Sequence, residues 1–264
     1  MKYNIILIVL FIFTIACKEK PKEKEPIETQ ENWQTLFNGK DLTNWIVKIK
    51  GYPLGENPHN TFRVENEVIK VAYDEYDDFN NSFGHMFYKT PFSNYKFRMQ
   101  YRFTGVQAEG GAGWAKRNSG IMIHCQSPES MGLNQNFPLS IEVQLLGGVE
   151  EGVERSTGNL CTPGTHVVIE DALKTDHCTV SSSETYYGEQ WVTAEVIVKN
   201  DTITHKINNE IVLSYSNPQI GGDLTDFSKE WQAKDGELLK GGYISLQSES
   251  HPVEFKNIKI QVLD

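Results

Sequence analysis

Carboxylate and amide side chains stand at alternate positions in two apolar segments of the chain. Glu142 and Gln144 alternate with aliphatic residues in the first segment, and near the C-terminus Gln247 and Glu249 continue the face opposite Ile244 and Leu246. Because successive side chains of a β-strand point to opposite faces of a sheet, each pair lies on one face. Carboxylates act as general acids or bases and amides bind hydroxyl groups, so this face is predicted to bind a hydroxyl-rich ligand.

Arg102 and Trp191 also alternate with apolar neighbours and are expected on the same polar face. Trp191 and Trp114 offer flat apolar surfaces for the C–H faces of a sugar ring, although a tryptophan can equally pack inside a core. The alternative interpretation of the face is an ordinary solvated side of an antiparallel sheet. Contributions from several strands favour the binding interpretation.

His124 follows an apolar run and lies near a glycine-rich loop, residues 110–120. If His124 and Glu142 lie on neighbouring strands, they form an acid–base pair or two ligands of a divalent metal, with Glu249 and His251 as further candidates. Spacing alone does not establish that adjacency, and a single histidine in a strand is often structural. A divalent metal is the one cofactor that the sequence suggests.

These residues need a sheet to position them, and the chain from Trp33 onward has the two-residue periodicity of strands. Short alternating runs are separated by clusters of Gly, Asn, Asp and Pro. The clearest predicted strands are residues 95–103, 140–146, 191–198, 202–207, 210–215, 243–249 and 255–262, with a hairpin turn at Asn208 and Asn209. The pattern predicts an all-β fold of two antiparallel sheets, a jelly-roll sandwich, in one domain over residues 33–264.

The composition fits a globular domain. The chain has 264 residues, of which 39% are hydrophobic and 23% charged, enough to bury a sizeable core. Its formal net charge is −10, so nucleic acid is not expected as a partner. The sequence contains no GxSxG, HExxH, Walker or dinucleotide-binding motif, which argues against those enzyme classes.

The N-terminus is predicted to be a lipoprotein signal. Met1 and Lys2 precede an apolar run that is too short to span a membrane and ends at Ala16-Cys17. Removal of residues 1–16 would leave Cys17 to carry the lipid; a plain secretory signal or an uncleaved anchor is the alternative. Residues 17–32 then form a charged, flexible tether. The expected location is the cell envelope, as an outer-membrane lipoprotein that contacts the membrane only through its lipid.

The three remaining cysteines suggest a disulfide, because disulfides persist in exported proteins. Cys161 and Cys178 are predicted to pair, since they bracket a short segment whose closure would stabilise the fold by about 3 kcal/mol. Cys125 stands in an apolar strand and is expected to be buried and free. A zinc site of Cys161, His166, His177 and Cys178 is the alternative, although its spacing matches no standard zinc module.

Several motifs occur in a familiar order: residues 36–42 (LFNGKDL) before Trp45, then 118–121 (NSGI), 142–146 (EVQLL) and 242–247 (GYISLQ). Together they resemble the 3-keto-disaccharide hydrolase domain family, over about residues 33–262. The resemblance implies a concanavalin-like jelly roll and secreted or lipoprotein members in bacteria. It also implies action on glycosides that are oxidised at C3 of the sugar.

The implied reaction is an elimination. A C3 ketone acidifies the proton at C2, so a base can form an enolate that expels the C1 substituent, after which water adds. Glu142 is then the expected base or metal ligand, and His124 is expected to stabilise the enolate or help hold the metal. The expected substrate contacts are Arg102, Trp114, Asn118, Gln144, Trp191, Gln247 and Glu249.

The alternative function is a carbohydrate-binding lipoprotein of the same fold without turnover. An enzyme needs a proton-transfer group in an enclosed cleft, whereas a binding module can use an open aromatic and amide surface.

Overall fold

Alternating core-facing side chains build two antiparallel sheets in the part of the chain that the computed structural model describes, residues 32–264. The predicted signal peptide, Cys17 and the tether up to residue 31 lie outside the described residues. All strand pairings found within residues 32–264 are antiparallel, and the two sheets enclose one main core. The predicted all-β jelly-roll sandwich in a single domain is confirmed.

The described residues form seventeen strands. They are β1 (Gln34–Thr35), β2 (Trp45–Ile49), β3 (Phe62–Glu65), β4 (Val68–Val71), β5 (Gly84–Tyr88), β6 (Tyr95–Phe103), β7 (Asn118–Cys125), β8 (Ile141–Leu146), β9 (Asn159–Cys161), β10 (Thr165–Ile169), β11 (Ala172–Lys174), β12 (Cys178–Thr179), β13 (Val192–Lys199), β14 (Thr202–Ile207), β15 (Glu210–Ile220), β16 (Tyr243–Ser248) and β17 (Val253–Val262). Helical structure in residues 32–264 consists of α1 (Lys229–Gln232) and three 3-10 turns, Pro58–Asn60, Gly113–Ala115 and Pro128–Ser130.

The larger sheet has ten strands in the order β11-β10-β15-β14-β13-β6-β17-β4-β3, with β1 paired to β17. The smaller sheet has seven strands in the order β12-β9-β8-β7-β16-β5-β2. Neighbours in both sheets are often distant in the sequence, so crossovers between the sheets close the sandwich.

Strand β6 shows how the sequence pattern produces the core. Its alternate residues Tyr95, Phe97, Met99, Tyr101 and Phe103 are all buried between the sheets, while the residues between them are only half-buried on the outer face. Burying one such side chain stabilises the fold by about 1.5–3 kcal/mol. The alternation therefore fixes the face and the register of this central strand.

The smaller sheet is buried on both faces. All eight residues of β7 are buried, and Phe87, Met122, Cys125 and Met131 form a second apolar cluster on the outer side. Loops thus cover the outer face of this sheet, which predicts enclosed sites there instead of an open surface.

The hairpin predicted at Asn208 and Asn209 is confirmed between β14 and β15, and both asparagines adopt positive φ. Asparagine tolerates that left-handed conformation better than most residues. No helix within residues 32–264 is long and apolar enough to span a membrane.

Candidate functional site

A row of polar residues crosses the outer face of the smaller sheet from strand to strand. The directly paired positions are Asn159–Gln144, Gln144–Gly120, Gln247–His85 and His85–Lys48. The residues that precede or follow them, such as Val143 and Leu246, lie in the main core, so alternation turns this row outward. A polar row beneath covering loops is what a binding site for a polar ligand requires.

Gly120 leaves a gap in the middle of that row. A Cβ atom at Gly120 would lie 2.8 Å from Oε1 of Glu142 and 3.0 Å from Oε1 of Gln247. Glu142 itself pairs with Met122, one position along the strand, so its side chain leans over the glycine. Glycine at this position therefore lets a carboxylate and an amide approach each other above the sheet.

A cavity of about 300 Å³ opens beside this gap. Its wall combines carboxylates, amides, aromatic rings and a disulfide. The lining residues are Trp114, Asn118, Phe137, Glu142, Gln144, Cys161, Pro163, His177, Cys178 and Glu249. Five of the predicted catalytic and substrate-binding residues thus meet in one place, from strands β7 and β8, the 3-10 turn before β7 and the residue after β16.

Glu142 and Glu249 are the acidic groups of this cavity, and their side chains are almost fully buried. Burial raises the pKa of Glu142, and burial together with the negative charge of Glu142 raises the pKa of Glu249 well above its ordinary value. The Oε2 atom of Glu249 has no hydrogen-bond partner among the described residues. Two such neighbours do not both ionise readily, so Glu142, whose pKa is raised to about 8, loses its proton before Glu249, and the pair holds one carboxylate and one carboxylic acid above about pH 8.

Gln247 extends the polar surface of the pair. Its side chain is fully buried, yet neither its amide nitrogen nor its amide oxygen has a hydrogen-bond partner within residues 32–264. Asn118, on the cavity wall, has an equally unpartnered amide oxygen. Buried amides without partners are costly, and a hydroxyl-bearing ligand would satisfy them.

Arg155 holds the segment that carries Trp114. Its guanidinium donates hydrogen bonds to the backbone carbonyls of Trp114, Lys116, Arg117 and Gly147, at 2.6–3.2 Å. Its positive charge also lowers the pKa of Glu249, against the larger effect of burial. Arg155 therefore both fixes the backbone at Trp114, on the aromatic wall of the cavity, and favours the ionised form of Glu249.

His124 and Glu142 lie on the neighbouring strands β7 and β8, but the structure does not bring their side chains into one cavity. Met122 stands opposite Glu142, while His124 falls at a register shift with a φ of 51°. Burial lowers the pKa of His124 to about 4, so its ring is neutral near pH 7. The expected adjacency of the two strands is therefore confirmed, but neither ring nitrogen of His124 has a hydrogen-bond partner among the described residues, so His124 and Glu142 do not form a pair. The chain changes its alternation at this bulge, which turns the His124 side chain away.

The same residues bear on the predicted divalent metal. Within the described part of the chain there is no group of three or more His, Cys, Asp or Glu side chains that could hold a metal ion. His251 does not join Glu249 in the cavity; its ring packs against Phe103, with centroids 5.7 Å apart. These residues do not fit a resident divalent metal.

Arg102 and Trp191 belong to the opposite sheet, which corrects their predicted place beside Glu142. Arg102 lies on the outer face of β6, where it pairs with Glu254 at 2.7 Å and stacks over Trp191 at 4.6 Å. The alternation in β6 and β13 is the same as in β8, and periodicity does not say which of two sheets a strand joins.

The predicted disulfide between Cys161 and Cys178 is confirmed, and it joins the paired strands β9 and β12 at the cavity wall. The alternative zinc site is thereby excluded, since both cysteine ligands are in the disulfide. Cys125 is buried and free, as predicted.

Sequence reasoning missed Gly120, His85, Lys48 and Arg155. A glycine inside the apolar run of β7 was a usable signal, because glycine in a strand often marks a close approach. Lys48 is buried and donates to three backbone carbonyls, a role that its position in the sequence does not show.

Comparison with known families supports a carbohydrate-active function for the chain. The family model described as the 3-keto-alpha-glucoside-1,2-lyase-like domain matches residues 32–261. No curated protein matches the chain.

Solved structures share the fold at low sequence identity. Two are crystal structures of a "putative glycosyl hydrolase" from Parabacteroides distasonis ATCC 8503. One is 22% identical over 89% of this chain and 95% of its own, with a TM-score of 0.55. The other is 17% identical over 88% and 100%, with a TM-score of 0.53. The lumenal domain of VIP36 in its Ca²⁺/Man3GlcNAc-bound form is 8% identical over 89% and 92%, with a TM-score of 0.51.

Proposed function

Because the chain belongs to the 3-keto-alpha-glucoside-1,2-lyase-like domain family, we propose that this carbohydrate-active protein cleaves 3-keto-glycosides by deprotonation at C2 and elimination. One observation carries the proposal: Glu142 and Glu249 share a buried cavity whose wall also carries amide side chains. An elimination needs a base and an acid that act on neighbouring atoms, and this pair supplies one group of each kind.

Glu142 is the proposed base. As a carboxylate with a raised pKa it removes the proton from C2, and the electrons of the C2–H bond pass into the enolate of the C3 ketone. The C3 carbonyl then re-forms as a double bond develops between C1 and C2 and the bond from C1 to the leaving oxygen breaks. Water adds across that double bond, with its oxygen on C1 and a proton on C2.

Glu249 is the proposed acid. Its pKa is raised by burial and by the charge of Glu142, so it keeps its proton while Glu142 is ionised. That proton passes to the leaving oxygen as the C1–O bond breaks. We assign the binding of the enolate oxygen and the sugar hydroxyls to Gln144 and Asn118 of the cavity wall and to the unpartnered amide of Gln247 beside Gly120. Trp114 is assigned as one wall for the sugar ring.

The direct test measures sugar release from a panel of 3-keto-glucosides and from their unoxidised parents. We expect cleavage of the keto forms only, and a loss of at least 100-fold in kcat/KM for Glu142→Gln. A matched control is Glu65→Gln, which removes a carboxylate that is ion-paired to Arg63 and Lys70 on the other sheet. That control should retain wild-type turnover.

Full turnover by Glu142→Gln would contradict the assignment of the base. Absence of turnover on every keto substrate, combined with a rise in melting temperature on adding an oligosaccharide, would instead support the non-catalytic binding function. A chelator arm addresses the predicted metal, and we expect activity to survive it because the described residues offer no metal cluster.

The proposal includes a location at the cell envelope, with Cys17 as the lipid-bearing residue. It is supported by the apolar run before Ala16-Cys17 in the sequence. Incorporation of a labelled fatty acid into the wild-type chain and not into Cys17→Ser would support the lipid. Labelling of both proteins, or of neither, would contradict it.

A further inference from the structure

The larger sheet carries a second depression, on the face opposite the cavity of Glu142. It is a groove of about 790 Å³ across the outer faces of β6, β13 and β17. Strand β17 bulges at the floor of this groove, where its register shifts between Lys256 and Lys259 and Asn257 adopts a φ of 53°. A bulge in a central strand breaks a flat sheet face and creates room for a ligand.

The groove is positively charged in a chain whose formal net charge is −10. Arg98, Lys256 and Lys259 line it, against the single lining carboxylate Glu67. Arg98 is also ion-paired to Glu195, which Lys206 contacts from the next strand at 3.4 Å. The two lysines therefore supply the excess positive charge of this groove, and such segregated charge favours an anionic ligand.

Two tryptophans hold these cations in place. The Nζ atom of Lys256 lies 3.9 Å from the ring centroid of Trp191, and that of Lys259 lies 4.9 Å from the centroid of Trp33. Cation–π contacts restrict side chains that otherwise lose much rotamer entropy when a ligand binds. The charges are thus preorganised, which lowers the cost of binding.

Neutral polar groups lie between the two charged positions. Asn257 donates to Oε1 of Gln100 at 2.6 Å, and Gln100 contacts Thr193 at 3.4 Å. Asn257 is exposed, so its amide can still meet a ligand. Amide and hydroxyl groups between fixed cations match a ligand that carries both hydroxyls and carboxylates.

We propose that this groove binds a carboxylate-bearing polysaccharide, a polyuronate, and holds it on the side of the sandwich that does not contain the acidic pair. The carboxylates pair with Lys256 and Lys259, and the hydroxyls meet the amides of Gln100 and Asn257. This binding does not depend on turnover in the cavity of Glu142, so the two functions can fail separately.

Affinity electrophoresis tests the proposal, with native gels that contain polygalacturonate, neutral dextran or poly-L-glutamate. Of the three polymers, we expect only polygalacturonate to retard the protein. In Lys256→Gln/Lys259→Gln the apparent affinity measured from this retardation should fall at least 10-fold. Glu142→Gln should be retarded like the wild type. The matched control is Lys229→Gln/Lys234→Gln, which removes two charges at and next to α1, away from the groove, and should also behave like the wild type.

Three results would overturn the proposal. If polygalacturonate does not retard the wild type, polyuronates are not ligands of this groove. Equal retardation by poly-L-glutamate shows that charge alone is recognised and that the sugar hydroxyls contribute nothing. Equal weakening in both double-lysine variants shows that net charge, and not the groove, determines the mobility.

Discussion

Glu142 and Glu249 line one buried cavity, and the charge of Glu142 raises the pKa of Glu249. The pair is assembled from different strand ends, β8 and the residue after β16, across the intervening strand β7. Gly120 of β7 makes this approach feasible, because any side chain there would meet Glu142. The geometry therefore depends on one absent side chain as much as on the two carboxylates.

The first prediction concerns stability and pH. Folding raises the pKa of Glu142 above its ordinary value of about 4.5. Between these two pKa values the folded protein binds more protons than the unfolded chain. The free energy of unfolding therefore falls as pH rises from about 4.5 through the raised pKa. Glutamine does not ionise, so Glu142→Gln removes this decrease in stability at high pH. We expect the variant to be more stable than the wild type by about 1–2 kcal/mol at pH 8, and nearly equal to it at pH 4. Urea unfolding at both pH values measures this.

Glu65→Gln is the control for this prediction, because folding changes the pKa of Glu65 in the opposite direction. Hydrogen bonds from Lys70 and Arg63 lower the pKa of Glu65, so its carboxylate form is favoured in the fold. Its replacement should not stabilise the protein at pH 8. A Glu142→Gln protein that is less stable than the wild type at pH 8 would show that the Glu142 carboxylate is not destabilised by burial.

The second prediction concerns Gly120→Ala. The added Cβ atom would lie 2.8 Å from Oε1 of Glu142, so the carboxylate or the strand must shift. We expect a loss of about 1–3 kcal/mol in the free energy of unfolding and of at least 10-fold in kcat/KM on 3-keto-glucosides.

Gly132→Ala is the matched control, because its Cβ atom would make only ordinary contact with Gln135, at 3.7 Å. It should leave kcat/KM unchanged and stability within about 0.5 kcal/mol of the wild type. Unchanged activity in Gly120→Ala would mean that the space above Gly120 is not part of the reacting site.

The sequence predicts the fold well because alternation is a local signal. Strand β6 matches its predicted range, residues 95–103, and the hairpin at Asn208 and Asn209 follows from turn chemistry. The disulfide pair is also correct, since the short separation of Cys161 and Cys178 favours closure.

The site is only partly predictable, because its assembly depends on long-range pairing. Trp114, Asn118, Glu142, Gln144 and Glu249 do meet in the cavity. Periodicity assigns residues to a face but not to a sheet. Arg102 and Trp191 are therefore predicted to lie beside Glu142, although they belong to the other sheet. The bulge in β7 at His124 interrupts the alternation of the strand, and a two-residue sequence pattern does not predict such an interruption.

The third prediction concerns Arg155→Gln. The guanidinium holds the carbonyl of Trp114 at 3.2 Å and lowers the pKa of Glu249, so its loss should affect both binding and proton transfer. We expect KM to rise about 3- to 10-fold and the alkaline limb of the kcat profile to move to higher pH. The pH profile distinguishes this from mere loosening of the fold.

Arg63→Gln is the corresponding control, since Arg63 lies on β3 of the larger sheet and is ion-paired to Asp74. Both variants lose a charge, but only Arg155→Gln should move the pH profile. An unchanged alkaline limb in Arg155→Gln would show that Arg155 supports Trp114 without influencing the acid.

The last prediction concerns the disulfide between Cys161 and Cys178, which closes a 17-residue separation and lines the cavity. Cys161→Ala/Cys178→Ala should lower the free energy of unfolding by about 3 kcal/mol, because the unfolded chain gains conformational freedom. Thermal unfolding with and without a reductant measures this: the wild type should lose stability in reductant and the double variant should not respond. Cys125→Ala, at the buried free cysteine, should still respond like the wild type. A reductant response that persists in the double variant would mean that the stabilising bond lies elsewhere.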